Sequence, residues 1–130
     1  MVYRSIIFLV FIPIIHLGSC GKKSGDEGSY ASKIKYRQYF NNGRQIYLNN
    51  CSNCHQKDGS GLARLYPPIN GSDYFRADPV RTICIVRNGQ SGEIFVNGIS
   101  FNQPMPANTD LSNLEIAELM TYLYGNWSEE

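Results

Sequence analysis

The apolar positions of this chain fall into one dense run near the start and three later stretches with helical spacing. The dense run is Ile6-Ile7-Phe8-Leu9-Val10-Phe11-Ile12-Pro13-Ile14-Ile15. It is shorter than the about 20 residues a membrane-spanning helix needs, and Pro13 interrupts it. In the first periodic stretch Tyr36, Phe40, Gly43 and Tyr47 lie four, three and four apart, one face of a helix from about Lys35 to Asn50. A glycine inside a helix costs about 1 kcal/mol against alanine. Gly43 on the apolar face therefore points to the close approach of another helix; the alternatives are a tolerated weak position or a helix that begins only at Asn41 or Asn42. In the second stretch Asp78-Pro79-Val80 reads as an N-cap with proline at the first helical position, and Gly89 ends the helix after about Asn88. Val80, Ile83, Cys84 and Arg87 share a face, which predicts Cys84 as a buried thiol acting as a small apolar group rather than a reactive or disulfide-bonded one. The third opens on Ser112-Asn113-Leu114-Glu115, a capping box, and runs to about Tyr124 with Gly125 as its stop. Ile116, Leu119, Met120, Leu123 and Trp127 form its apolar stripe, flanked by Tyr122. Between the last two helices Gly89, Gly92 and Gly98 break the chain up; Ile94-Phe95-Val96 has strand character but no predicted sheet.

The length of 130 residues fits one domain. Apolar content of 42% and charged content of 18% are those of an ordinary globular protein. With a net charge of +1 and no basic stripe, nothing points to nucleic acid. A domain this small is marginal by burial alone, so something beyond the chain's own side chains would help to fill its interior.

Arg4, the apolar run and the small residues Gly18 and Ser19 together read as a secretory signal, with an uncleaved membrane anchor as the alternative. Leu17-Gly18-Ser19-Cys20 resembles a bacterial lipobox, in which Cys20 is lipidated and becomes the new N-terminus; the alternative is ordinary cleavage nearby that leaves Cys20 a spare thiol. The reading divides the chain into a lipoprotein signal peptide at 1–19, a lipid-anchored flexible tether at 20–34 and a globular domain at 35–130. Gly21 to Ser32 is small and charged, and such a segment of about twelve residues has a root-mean-square reach of roughly 20 Å. The protein would thus be exported and held at the extracytoplasmic or periplasmic face of a bacterial membrane by its acyl chains, more than one being needed for a stable anchor.

Cys51-Ser52-Asn53-Cys54-His55 is a C-x-x-C-H motif, the pattern for covalent haem attachment. Two thiols at this spacing can each add to one vinyl group of the same porphyrin, and the histidine directly after them can ligate the iron. The competing readings are a redox C-x-x-C, which would follow a strand in a βαβ pattern, and half of a zinc site, which needs two more ligands from among Cys20, Cys84 and His16. His16 lies inside the signal, so His55 is the sole histidine of the mature chain. In Pro104-Met105-Pro106 the methionine is held in an extended loop, where its thioether is suited to be the second axial ligand; Met/His ligation raises the potential. The alternative for Met105 is a gap-filling or surface residue. After the Lys57-Asp58-Gly59-Ser60-Gly61 turn comes the stiff Tyr66-Pro67-Pro68-Ile69 segment. A carbonyl there could accept from the free N–H of His55, or the segment could simply cover the haem.

In this order the motifs resemble those of the class I cytochromes c, over about Tyr36 to Trp127. Gly43 and Tyr47 precede the haem motif, Pro67 stands 12 residues after His55, Ile69 takes a place where the family favours leucine, Met105 sits in a Met-Pro loop, and Leu119 and Tyr122 match a Leu-x-x-Tyr on the last helix. The resemblance implies an all-α fold with N- and C-terminal helices crossing near Gly43 around a central haem. It implies one covalent haem c held by Cys51 and Cys54, axial ligands His55 and Met105, and the Pro67 carbonyl as acceptor from His55. The function it implies is a single-haem electron carrier, not an enzyme, passing one electron at a time between redox proteins such as an oxidase, reductase or dehydrogenase, as a monomer or a complex subunit. Two axial ligands leave no open position for a substrate. The alternatives are a fixed haem subunit of a dehydrogenase or terminal oxidase, and a haem sensor or peroxidase-like protein with an open axial site. Electrons would leave by the haem edge near Cys51 and Cys54; Arg64, Arg76, Arg81 and Arg87 either steer an acidic partner or are plain solvated surface.

Overall fold

A computed structural model describes residues 24–128. The proposed signal peptide and Cys20 lie outside the described residues. The chain forms α1 (Ser24–Asn50), α2 (Ser52–His55), α3 (Asp73–Ala77), α4 (Pro79–Asn88), a hairpin of β1 (Ile94–Val96) and β2 (Ile99–Phe101), and α5 (Asn113–Trp127).

Helices α1 and α5 cross where α1 has no side chain in the way. A Cβ on Gly43 would stand 2.0 Å from the backbone oxygen of Glu118 and 2.9 Å from Cβ of Tyr122. The glycine is there because the two backbones touch, as its position on the apolar face predicts. Asn42 Nδ2 donates to Glu118 Oε1 at 2.8 Å, giving that buried carboxylate a partner at the crossing. Around it Tyr47, Tyr122 and Trp127 meet pairwise with ring centroids 5.0 to 5.5 Å apart. Tilted and edge-on pairs of this kind each add about 0.5–1.5 kcal/mol beyond the area they bury. Tyr47 and Leu119 are completely buried.

Several elements differ from the sequence reading, each for a local reason. Helix α1 starts at Ser24, not near Lys35, so residues 24–34 of the expected flexible tether are the first turns of that helix. Gly28 through Ile34 are exposed there. Low apolar content argues against a packed core, but it does not stop a helix from being extended outward from a packed end, since propagation is far easier than nucleation. Helix α5 passes through Gly125 to Trp127. A Cβ at Gly125 would lie 2.5 Å from the Tyr36 hydroxyl and 3.1 Å from the Phe40 ring, so this glycine makes room for α1 rather than ending α5. Cys84 is exposed, not buried. The inward face of α4 is carried by Thr82, Ile85 and Val86, which leaves Val80, Ile83 and Cys84 outward. Ile94-Phe95-Val96 does pair, with Ile99-Ser100-Phe101 in antiparallel register. The turn is Asn97-Gly98, both at positive φ (51° and 74°), the two-residue geometry that Asn-Gly favours. The fold is nonetheless mostly helical, as expected.

The caps behave as read. Asp78 Oδ1 accepts from Arg81 N at 3.0 Å with Pro79 at the first helical position. Ser112 Oγ accepts from Glu115 N at 3.3 Å while Glu115 Oε2 accepts from Ser112 N at 2.8 Å. Ser72 caps the unpredicted α3 by accepting from Phe75 N.

Candidate functional site

One cleft gathers Cys51, Cys54, His55, Pro67 and Met105. It encloses about 1050 Å³ of non-atom space, its open mouth included. Its wall is mainly apolar: Tyr47, Leu119 and Leu123 from the α1–α5 pair, Phe75, Ile85 and Val86 from α3 and α4, Val96 and Phe101 from the hairpin.

Each side chain is held by a reason visible in its neighbours. Cys51 follows the last turn of α1, its N–H donating to Tyr47 O at 2.9 Å, and α2 then carries Cys54 and His55. Tyr47 donates from its hydroxyl to Gln56 O at 2.6 Å, fixing the far end of the motif. The chain then doubles back. Gly61 N donates to His55 O at 3.0 Å and Ile69 N to Gly59 O at 2.8 Å. Gly61 has φ +71°, and a Cβ on it would stand 2.7 Å from both the carbonyl carbon and the oxygen of Pro67. Only glycine combines that backbone conformation with that approach, and the result is that Pro67 O lies 3.0 Å from His55 Nδ1. Because a carbonyl can only accept, this bond puts the proton on Nδ1 and leaves Nε2 free to ligate.

Met105 is placed from the other side. Gln90 and Met105 exchange both backbone hydrogen bonds, each 2.9 Å, and Gly89 packs against the Met105 carbonyl. Asn108 N donates to Val86 O at 3.0 Å. The Met-Pro loop is thus stitched to the end of α4. The hairpin tip is fastened as well: Asn97 N donates to Asp73 Oδ1 at 2.8 Å, and Asn97 Nδ2 to Gly71 O at 3.0 Å. Sequence reasoning missed Gln90 and Asn97; the Asn-Gly pair was a legible signal for the second, whereas nothing in the sequence marks Gln90.

The electrostatics separate the competing chemistries. Burial, then the neighbouring Cys54, pushes the Cys51 thiol up to about 11. A redox or nucleophilic C-x-x-C needs the opposite shift, and this one follows a helix instead of a strand. Among the described residues no three His, Cys, Asp or Glu side chains gather as a metal cluster would require. Burial lowers the His55 pKa, the Pro67 bond opposing it, which favours neutral imidazole, the form that ligates a metal. An apolar cleft with one thiol at the α1–α2 junction, a second thiol and an imidazole on α2, and a thioether in the Met-Pro loop fits a covalently attached haem.

Arg87 and Arg81 are held within the fold, whereas Arg64 is exposed. Arg87 donates to Leu111 O at 3.1 Å and to Asn113 Oδ1. Arg81 stacks on the Tyr74 ring, its guanidinium carbon 3.8 Å from the centroid. Cys84 lies apart from the cleft, in a groove between α4 and α5. Among the described residues no helix is long and apolar enough to cross a membrane.

Residues 39–123 match the family described as cytochrome c oxidase, cbb3-type, subunit III. Over 111 residues the chain is 29% identical to the cytochrome c subunit of a quinone alcohol dehydrogenase from Gluconobacter oxydans, covering 82% of this chain and 23% of that protein. Over 91 residues it is 29% identical to cytochrome c-552 of Thermus thermophilus, covering 67% of this chain and 69% of the relative.

Proposed function

Because the chain belongs to the cytochrome c family, and is thereby an electron-carrying protein with one covalently bound haem c, we propose that His55 and Met105 are the axial ligands of its iron and that it shuttles single electrons between redox proteins. When bound, the haem supplies the one-electron Fe(III)/Fe(II) couple. Cys51 and Cys54 hold it by thioether bonds. Pro67, through its carbonyl, orients His55 and strengthens it as a donor. The Gln90 pairing holds Met105 in its loop, and the apolar wall excludes water. With both axial positions taken the chain carries charge without binding a substrate, so it is a carrier and not an enzyme.

The observation that supports this reading most is the shared cleft: two thiols, the imidazole with its Nδ1 engaged, and the thioether all line it. Cys20 lipidation, with export to the extracytoplasmic side of a bacterial membrane, belongs to the same proposal and places the domain beside membrane-bound partners. Mass spectrometry of the mature N-terminus tests that part; an unmodified terminus sinks it.

The deciding experiment is the absorption of the oxidised holoprotein. The weak far-red band of sulfur-ligated haem iron is expected, with poor binding of CO and azide, and Met105→Ala should abolish the band and open the protein to both ligands. A band that survives Met105→Ala would show the ligand is another residue. Ready ligand binding by the parent would favour a sensor or peroxidase.

A second reading has support from the comparisons. Relatives include a dehydrogenase subunit and the family is described by an oxidase subunit, so the domain could serve as a fixed haem subunit with unchanged chemistry. Gel filtration of gently solubilised membranes separates the two: a carrier elutes alone, a subunit with its enzyme.

A further inference from the structure

Helix α1 continues well past the fold it helps to build. Phe40, Gly43 and Tyr47 pack against α5, whereas every residue from 28 to 38 is exposed. Gly28, Ser29 and Ser32 are weak helix formers, so little beyond propagation from the packed end holds these turns. A second face, about 100° round the helix from the packed one, carries Tyr30, Lys33, Ile34, Arg37, Asn41 and Arg44 at helical spacing. Tyr30 is 66% exposed and Ile34 39%. Lys33 and Arg37 have no hydrogen bond or ion pair among the described residues.

The charges of the chain are segregated by sign. Residues 28–50 hold Lys33, Lys35, Arg37 and Arg44 and no Asp or Glu, whereas residues 51–128 carry five basic and seven acidic side chains. The basic segment therefore suits an anionic surface, and the remainder is repelled by one. The mix of side chains narrows the choice of surface. A tyrosine ring is at home among lipid headgroups, and long basic side chains reach the headgroup level while their stems stay on apolar ground. The position agrees: only residues 21–23 separate Cys20, the proposed lipid site, from the start of α1. The helix is not long and apolar enough to cross a bilayer, so its contact would be with the surface.

We propose that the outer turns of α1 dock on anionic phospholipid, Lys33 and Arg37 pairing with headgroup phosphates while Tyr30 and Ile34 enter the headgroup boundary. The inference depends neither on the axial ligands nor on lipidation of Cys20. An acyl anchor alone would hold the domain near a bilayer and leave it free to turn. This contact lays α1 along the surface and gives the domain one orientation. The haem motif at the far end of α1 is then kept close to the bilayer, instead of about 40 Å above it on an upright helix.

The test uses haem-loaded, full-length protein on vesicles of phosphatidylcholine, alone or mixed with phosphatidylglycerol. Acylation, where it occurs, holds the protein to both, so a difference between them reports the helix. Hydrogen exchange at the amides of residues 28–38 should slow on the mixed vesicles and not on the neutral ones, with residues 43–50 unchanged. Added salt should reverse the slowing. Lys33→Gln combined with Arg37→Gln should weaken it by about thirtyfold, each basic side chain near an anionic surface contributing about fivefold. Both side chains are exposed, so the haem spectrum and the urea midpoint should stay those of the parent. Equal slowing on both kinds of vesicle would show apolar contact without recognition of charge. No slowing on either would leave the basic face to an acidic protein. Each of these results, or slowing that persists undiminished in the double variant, overturns the proposal and leaves the haem reading intact.

Discussion

At Gly43 two effects oppose each other. Alanine is the better helix former by about 1 kcal/mol, but its Cβ would meet the Glu118 backbone oxygen at 2.0 Å. A backbone atom in a paired helix cannot swing aside, and overpacking of this kind costs about 1–3 kcal/mol or more. Gly43→Ala should therefore destabilise the holoprotein by roughly 2 kcal/mol, read from the urea midpoint; an unchanged or raised midpoint would mean the helices do not touch there. Gly61 has a subtler role. Any side chain there must displace the Tyr66 and Pro67 carbonyls, and losing the Pro67 bond would make His55, as the proposed axial ligand, a poorer donor. Gly61→Ala should raise the reduction potential as well as lower stability. Stability lost with the potential unmoved would reduce the turn to a structural feature. These two glycines were legible in the sequence by position, Gly43 on an apolar face and Gly61 in a Gly-Ser-Gly turn. What each one touches was not, since that depends on which distant backbone arrives.

Capping chemistry at the start of α5 gives a prediction with a defined pH sign. The Ser112 backbone N–H, then its hydroxyl, holds the Glu115 carboxyl below its ordinary value. A group with a depressed folded pKa adds stability that is present above its unfolded value and is lost as pH falls through the folded one. Thermal scans should thus show α5 losing support on acidification below the ordinary glutamate range, and Glu115→Gln should remove that part of the pH dependence. Ser112→Ala should cost about 1 kcal/mol. The helix starts and stops show which signals can be read locally. Asp78-Pro79 and Ser112-x-x-Glu115 are chemistry that the backbone consults within one turn, and both caps form as read. The end of α5 and the face of α4 are decided by packing. Gly125 stays helical because Tyr36 and Phe40 of α1 need the room, and Cys84 faces out because Thr82, Ile85 and Val86 fill the cleft side. The outer turns of α1 bury little, so they rest on propensity and on propagation from the packed end. A methyl group on Gly28 would meet nothing within 4 Å. Gly28→Ala should therefore strengthen the far-ultraviolet helical signal without lowering the midpoint, the reverse of Gly43→Ala.

The molecule as a whole consists of two parts that depend on the haem to different degrees. The α1–α5 pair has its own interior: the backbone contact at Gly43 and the Tyr47–Tyr122–Trp127 cluster join the two helices directly, and Tyr47 and Leu119, which also line the cleft, are completely buried by the chain alone. The segment from Ser72 to Pro106 is different. It wraps the cleft, which Phe75, Ile85, Val86, Val96 and Phe101 line. Its fastenings are specific hydrogen bonds, among them Asn97 to Asp73 and Gly71, Gln90 to Met105, Arg87 to Leu111 O, Asn108 to Val86 O and Tyr124 Oη to Phe75 O. Phe75, Val86, Val96 and Phe101 are already buried by the chain itself, and in a domain of this size, marginal by burial alone, a haem in the cleft adds to the core they form. Replacing Cys51 and Cys54, the proposed attachment points of the haem, by alanine should not loosen the protein evenly. Hydrogen exchange should remain slow for amides of residues 43–50 and 116–124 and become fast for residues 82–106. Uniform loss of protection would show that the helix pair cannot stand alone, and uniform retention that the cleft is sustained by its walls. The expected split would also explain how a chain can be held open for haem attachment: the motif sits at the end of α1, on the part that is already folded, while the wall bearing Met105 closes afterwards.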